Sequence, residues 1–314
     1  MNVNTFLINA DEFLKTNSGH DFLCFCIGSS NYDLISIAAK CKYSSFWILE
    51  EIIESKDEDY CRSVAENPSA TEEILNKLSM MDSYYVREAV ATNPNTDGKT
   101  LSALSKSEER CVIEKVASNP NTPLKTLKGL VATHIHFNVL SAVAKNPSID
   151  EEIISNLLKK PCLHAALMSN PKIPVKYLVD FSHDKNQKLD VLCAIAGNTR
   201  TLEKVLIKLY GIVGTNSDMA KALAGNPNTY AGILENLVDD FNSTAVHCEV
   251  ARNPKAPTRL LERLASSNFH KDVHKCVAEN PKTSVEILKK LTNSPYQDVS
   301  KIARIKLDAK KKEG

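Results

Sequence analysis

The amino-acid sequence predicts an all-α chain, an α-solenoid of about ten two-helix repeats of 24–28 residues. Three observations carry that expectation. An asparagine returns at Asn67, Asn93, Asn119, Asn146, Asn170, Asn198, Asn226, Asn253 and Asn280, in steps of 26, 26, 27, 24, 28, 28, 27 and 27 residues. Eight of the nine are followed by proline, the exception being Asn198-Thr199. Apolar residues also keep fixed distances from each asparagine, at spacings of four and three that put them on one face of a helix.

Composition is that of an ordinary folded protein. The 314 residues are 43% apolar and 25% charged, which excludes wholesale disorder. Net charge is +1, from 39 basic and 38 acidic residues, so nucleic-acid binding would need strong local segregation of charge. The opening "MNVNTFLINADEFLK" has no basic region before an apolar core, and no apolar run approaches the roughly 18 residues of a membrane span. Neither a signal peptide nor a membrane partner is expected. Nine cysteines without paired spacing point to reduced thiols and a cytoplasmic protein.

Taken in order, residues 1–30 read as an N-terminal helical cap, with Phe22, Leu23 and Cys26 in the phase of a second helix. The repeats then run over 31–295. The first is degenerate, with Cys41 in the asparagine position, Leu34 seven before it, and Leu49 and Ile52 eight and eleven after it. In the other nine, helix A carries an apolar residue seven and three before the asparagine, as in Val112 and Val116. Alanine sits two before, except at Met168. Small residues there let a neighbouring helix approach closely. Helix B carries an apolar residue eight and eleven after the asparagine, as in Leu127 and Leu130. Residues 296–314 read as a closing helix, "YQDVSKIARIKL", and a frayed basic tail, "DAKKKEG".

The junction "VASNPNTPLKTLKGL" explains why each repeat breaks where it does. A residue before proline is pushed out of the α region, so helix A stops at the asparagine. Asparagine tolerates left-handed geometry and bonds nearby backbone. Thr96, Thr122, Thr201, Thr229 and Thr283 are expected as N-caps of helix B, and Pro123, Pro174 and Pro257 as its first residue. Thr283 and Glu286 have the spacing of a capping box. On this reading Asn119→Ala removes only turn bonds, about 1 kcal/mol, whereas Leu127→Ala leaves a cavity costing about 2–5 kcal/mol.

The stretches "VREAVATNPNTDGKTLSALS" and "VASNPNTPLKTLKGL" resemble units of the leucine-rich repeat variant family, and the resemblance covers roughly 31–295. It implies a right-handed superhelix built from two short helices per unit of about 24 residues. Most units here run to 26–28, nearer to HEAT-like solenoids. Some members of that family carry a cysteine-ligated iron–sulfur cluster. The only close pair here is Cys24 and Cys26, so no cofactor and no metal are expected.

Other candidate chemistry yields to plainer readings. His164, His247 and His274 share one phase, which could pair His247 with His274, but the same position also holds residues as unlike as Ile113 and Ala220. Trp47, the only tryptophan, is expected to pack beneath the N-terminal cap. No phosphate loop, nucleophile elbow or zinc motif occurs, so the expected function is a non-enzymatic scaffold for a protein or peptide. The alternative is a nucleic-acid-binding, HEAT-like solenoid of the DNA-alkylation-repair type, using Lys77, Lys99, Lys125, Lys128, Lys176, Lys204, Lys208, Arg259, Arg263, Lys289 and Lys290. The expected partner site lies where the repeat spacing is irregular. There Val175, Val179 and Ile207 take outward positions of helix B, rimmed by Lys176, Lys204 and Lys208.

Overall fold

The computed structural model describes residues 7, 10–29, 31–184, 186–266 and 269–313. Residues 1–6, 8, 9 and 30 of the expected cap, and Gly314 of the tail, lie outside the described residues. Among those described, the regular elements are 23 α-helices and one 3-10 turn, with no strand. Helices α1 (Asp11–Leu14) and α2 (Asn17–Ile27) come first. Ten A/B pairs follow. In the first five they are α3 (Tyr32–Lys40) with α4 (Phe46–Glu54), α5 (Glu58–Glu66) with α6 (Glu72–Ser79), α7 (Tyr84–Thr92) with α8 (Gly98–Leu104), α9 (Arg110–Ser118) with α10 (Leu124–Thr133), and α11 (Phe137–Lys145) with α12 (Glu151–Leu158). The other five are α13 (His164–Met168) with α14 (Val175–His183), α15 (Leu189–Gly197) with α16 (Glu203–Tyr210), α17 (Ser217–Gly225) with α18 (Ala231–Asp240), α19 (Thr244–Arg252) with α20 (Thr258–Leu264), and α21 (Lys271–Glu279) with α22 (Val285–Leu291). Helix α23 (Gln297–Glu313) closes the series. The fold is an α-solenoid of two-helix repeats.

The chain forms two compact units, 1–163 and 164–314. The division falls inside the one repeat reached by a 24-residue step. Pro161–Leu163 form the 3-10 turn that ends the first unit, and the shortened α13 opens the second.

Within each unit helix A lies on the next helix A, and the helix-A position three before the asparagine is buried as anticipated, with Val64, Val90, Val116, Ile195, Leu223, Val250 and Val277 fully buried. Of the other expected core positions, Leu34, Tyr60 and Phe181 are half-buried; the rest, including Leu75, Leu101, Leu127, Leu206 and Leu234, are buried. The sequence reading missed one core position, seven after the asparagine, where Ile74, Ile153, Val205, Ile233, Leu260 and Ile287 are also buried.

The turn works differently from the expectation. Each asparagine adopts extended backbone, as at Asn119 with φ −71 and ψ 127, and not left-handed geometry. Asn198, which precedes threonine, and Cys41, which precedes lysine, adopt the same angles (φ −74, ψ 123 and φ −73, ψ 122). Proline therefore does not impose the conformation. At the asparagines a hydrogen-bond ladder fastens this turn to the preceding repeat. Asn119 Nδ2 donates to the carbonyls of Ala91 (2.9 Å) and Asn93 (3.0 Å) in the preceding repeat, and its Oδ1 accepts from Asn121 N (2.9 Å). The same pair of donations recurs at Asn67, Asn93 and Asn146 in the first unit, and at Asn198, Asn226, Asn253 and Asn280 in the second. Each amide thus bonds a carbonyl at the end of the previous helix A and adds a second donor to the previous asparagine's carbonyl, which also accepts from a backbone N–H three residues on. Cys41 starts the ladder with its carbonyl alone, which Asn67 uses.

The threonines are not N-caps. The hydroxyls of Thr96, Thr122, Thr201, Thr229 and Thr283 turn back and donate to carbonyls of their own helix A (Val90, Val116, Ile195, Leu223 and Val277). The N-cap falls one residue later, at Asp97, Pro123, Pro174, Pro257 and Ser284, so the prolines sit before the first helical residue and not on it. Ser284, which accepts from Ile287 N, replaces the expected Thr283–Glu286 capping box. The tail is also corrected. Helix α23 runs on through the lysines to Glu313, because no Asn-Pro interrupts it, with Val299, Ala303 and Leu307 forming its buried stripe.

Candidate binding surfaces on the B helices

Close A–A packing leaves the B helices to diverge, and their outer residues decide what the surface offers. The position nine after the asparagine is the informative one. In four of the five repeats of the first unit it is a strut to a neighbouring repeat: Glu50 to Lys77, Asn76 to Thr100 (3.1 Å), Ser102 to Thr126 (2.8 Å), and Lys128 to Asp150 (2.8 Å) and Glu152; the fifth holds exposed Ser155. In the second unit Glu235 pairs with Arg259 (2.6 Å) and Glu262 with Lys290 (2.7 Å), beside an Arg263–Asp239 pair at 2.6 Å. Such exposed pairs contribute only about 0.2–1 kcal/mol each. Their larger effect is to cancel charge. Five of the eleven candidate cations, Lys77, Lys128, Arg259, Arg263 and Lys290, are neutralised in this way.

In α14 and α16 the strut position holds Val179 and Ile207 instead. These helices are in contact, which brings the expected site residues onto neighbouring repeats. Val175 and Val179 are half-buried, whereas Ile207 is 50% exposed. Leu202, the N-cap of α16, is also exposed. Lys204 and Lys208 are exposed and make no ion pair among the described residues, and Lys176 Nζ lies 4.7 Å above the Tyr177 ring. The apolar face therefore centres on Ile207, with the two valines lower beside it.

The sequence reading gave no weight to a second feature, between α8 and α10. A shallow cleft of about 1130 Å³ is lined by Asp97, Lys99, Ser102, Ser105, Lys106, Lys125, Thr126 and Gly129, among others. Lys99 and Lys125 were visible as charges in the sequence. The signal that could have singled them out is the absence of any acidic residue from α8 and α10.

The histidines and cysteines do not assemble a site. His247 is buried edge-on against Phe269 (5.0 Å), with its Nε2 unpartnered, while His274 Nε2 donates to the Ser266 carbonyl at 2.7 Å. Both rings are thus taken up by the one loop after α20. His164 packs edge-on against Phe181 at 4.9 Å. Cys24 Sγ lies 3.6 Å from His20 Nδ1, and burial pushes the Cys26 thiol up to about 11, so it stays protonated. Trp47 meets His20 of α2 edge-on at 6.0 Å while remaining 47% exposed. Among the described residues no group of three or more His, Cys, Asp or Glu gathers, and no helix is long and apolar enough to cross a membrane.

No family model and no curated protein matches the chain. Solved structures do resemble it. One is described as a leucine-rich repeat variant with a novel repetitive protein structural motif; it is 13% identical with a TM-score of 0.34, covering 90% of this chain and 89% of that one. An engineered protein is 16% identical with a TM-score of 0.29, over 98% and 92% of the two chains. A designed armadillo repeat protein is 16% identical with a TM-score of 0.15, over 91% and 98%. At these identities and TM-scores the likeness assigns neither family nor function.

Proposed function

We propose that this chain is a non-enzymatic scaffold for a protein or peptide partner, acting in the cytoplasm and binding through the B-helix face around Ile207. One observation carries the reading. At the position where six of the other eight repeats spend a polar side chain on bracing a neighbour, and the remaining two hold Ser155 and Lys289, α14 and α16 place Val179 and Ile207, and Ile207 stays half exposed to water. Exposed apolar surface ringed by charge, here Lys204, Lys208 and Asp180, is the character of a partner site. In this reading residues 1–30 and 296–314 cap the repeats of 31–295, and the Val-Ala-x-Asn-Pro units support kinship with the leucine-rich repeat variants. Nucleic-acid binding draws less support, because five of its candidate cations already face carboxylates that would repel phosphate.

The test places a photoreactive residue at Lys204 and compares cross-linked partners with and without Ile207→Asp. Ile207 is the cleaner probe, since half-buried Val179 also contributes to packing. The expected outcome is a discrete adduct that Ile207→Asp abolishes and that Ile135→Asp, at an 86% exposed isoleucine in the first unit, leaves intact. An adduct pattern indifferent to Ile207→Asp would refute the assignment.

A further inference from the structure

The cleft between α8 and α10, in the unit of residues 1–163, carries a charge pattern that its neighbours lack. Lys99, Lys106 and Lys125 line it, all exposed and none in an ion pair among the described residues. The single carboxylate there, Asp97, is spent on capping α8, accepting from Thr100 N at 2.7 Å. At the junction with α12 Lys128 is cancelled by Asp150 and Glu152, and on the other side, between α4 and α6, Lys77 is cancelled by Glu50. The floor is made largely of small residues, with Ala103, Pro123 and Leu130 giving it an apolar lining: the Ser102 and Thr126 hydroxyls bond each other, and a Cβ built on Gly129 meets nothing within 4 Å.

We propose that this cleft is a docking groove for an extended acidic peptide of a partner protein, with Lys99 and Lys125 each meeting one carboxylate. The two lysines stand at the same register of adjacent repeats, six after Asn93 and Asn119. Helices of adjacent repeats lie on the order of 10 Å apart, and a peptide in the polyproline-II conformation covers that span in three residues at about 3.1 Å each, with residue i+3 back on the same face. The groove therefore fits two acidic residues separated by two others. Gly129 and the small residues beside it leave room for a peptide backbone, and Lys106, at the far end of α8, meets a further acidic group. Asp150 and Glu152 bound the groove on the α12 side, and Glu108 and Glu109, which share a neighbouring hollow with Lys99 and Lys106, bound it on the other. A short acidic segment stops before them, whereas a phosphodiester chain running along the B helices would meet them. The proposal deepens the scaffold reading at a different surface, and it stands or falls separately from the Ile207 face.

The test pans a displayed library of random linear peptides on the full chain and on Lys99→Glu/Lys125→Glu. A Lys99→Gln/Lys125→Gln variant checks that folding is intact. The expected wild-type pool is enriched in Asp or Glu pairs three residues apart. Its synthetic peptides should bind the Glu variant at least about tenfold more weakly, the Gln variant in between, and Ile207→Asp like wild type. A pool without acidic pairs, or peptides that bind all variants alike, overturns the proposal. So does a single-stranded oligothymidylate that binds more tightly than the peptides with the same lysine dependence, since the groove would then be a phosphate track. Loss of the Ile207 adduct reading with these results intact leaves the groove standing, and the reverse holds equally.

Discussion

Replacing Asn119 by alanine should cost about as much as emptying a leucine site, although Asn119 belongs to a surface turn by sequence. Its side chain is 4% exposed and makes three hydrogen bonds, two donated across the repeat boundary to Ala91 and Asn93 and one accepted from Asn121. Alanine fills none of these. Each buried group left without a partner costs about 1–3 kcal/mol, and some rehydration at the turn brings the sum to about 3–5 kcal/mol. The turn bonds alone would give about 1 kcal/mol. Leu127→Ala, at a fully buried leucine of the same repeat, should cost about 2–5 kcal/mol through its cavity. Asn119→Asp should be worse than alanine, since a carboxylate would face two carbonyls where the amide donated. Pro120→Ala should stay within about 1 kcal/mol, because Asn198 and Cys41 hold the same backbone angles without a following proline. Urea unfolding followed by circular dichroism reads these losses as midpoint shifts at constant slope. An Asn119→Ala loss of about 1 kcal/mol or less, beside a full Leu127→Ala loss, would refute the ladder as a source of stability.

Three further outcomes follow from local geometry. Gly129→Ala should stabilise the chain by about 0.5–1 kcal/mol in the same melts, because it removes a helical glycine and its methyl group enters open space. Iodoacetamide at pH 8 should label exposed Cys162 first, as judged by peptide mass spectrometry. Cys26, Cys61 and Cys276 should resist, since burial pushes their thiols up to about 11, 11 and 12 and leaves little thiolate. Asp11 should titrate by NMR near 2, below its ordinary 3.8, chiefly because Lys42 hydrogen-bonds its carboxylate, and Lys42→Ala should move it upward. A depressed carboxylate stabilises the fold above its ordinary range, so this contribution is present above about pH 4 and is lost as pH falls through about 2.

The sequence by itself determined the architecture. Its period, its A and B stripes and the break between them are local matters, set by which residues share a helical face and by where an apolar run stops. Leu127, Val116 and their counterparts could be assigned to the core before any coordinates, because four- and three-residue spacing has one geometric meaning. The partners of those elements needed the stacked structure. Asn119 looked like a turn former because its acceptors, Ala91 and Asn93, lie 28 and 26 residues back and come within reach only when one repeat settles on the last. Thr122 looked like a cap because its acceptor, the Val116 carbonyl six residues back in its own helix A, comes within reach only once the turn has closed. Which lysines are free was equally hidden. Lys99 and Lys128 are indistinguishable as letters, yet Lys128 meets Asp150 and Glu152 of the next repeat while Lys99 faces an open cleft. Charge cancellation and hydrogen-bond satisfaction depend on distances between repeats, and the packing of one repeat on the next sets those distances.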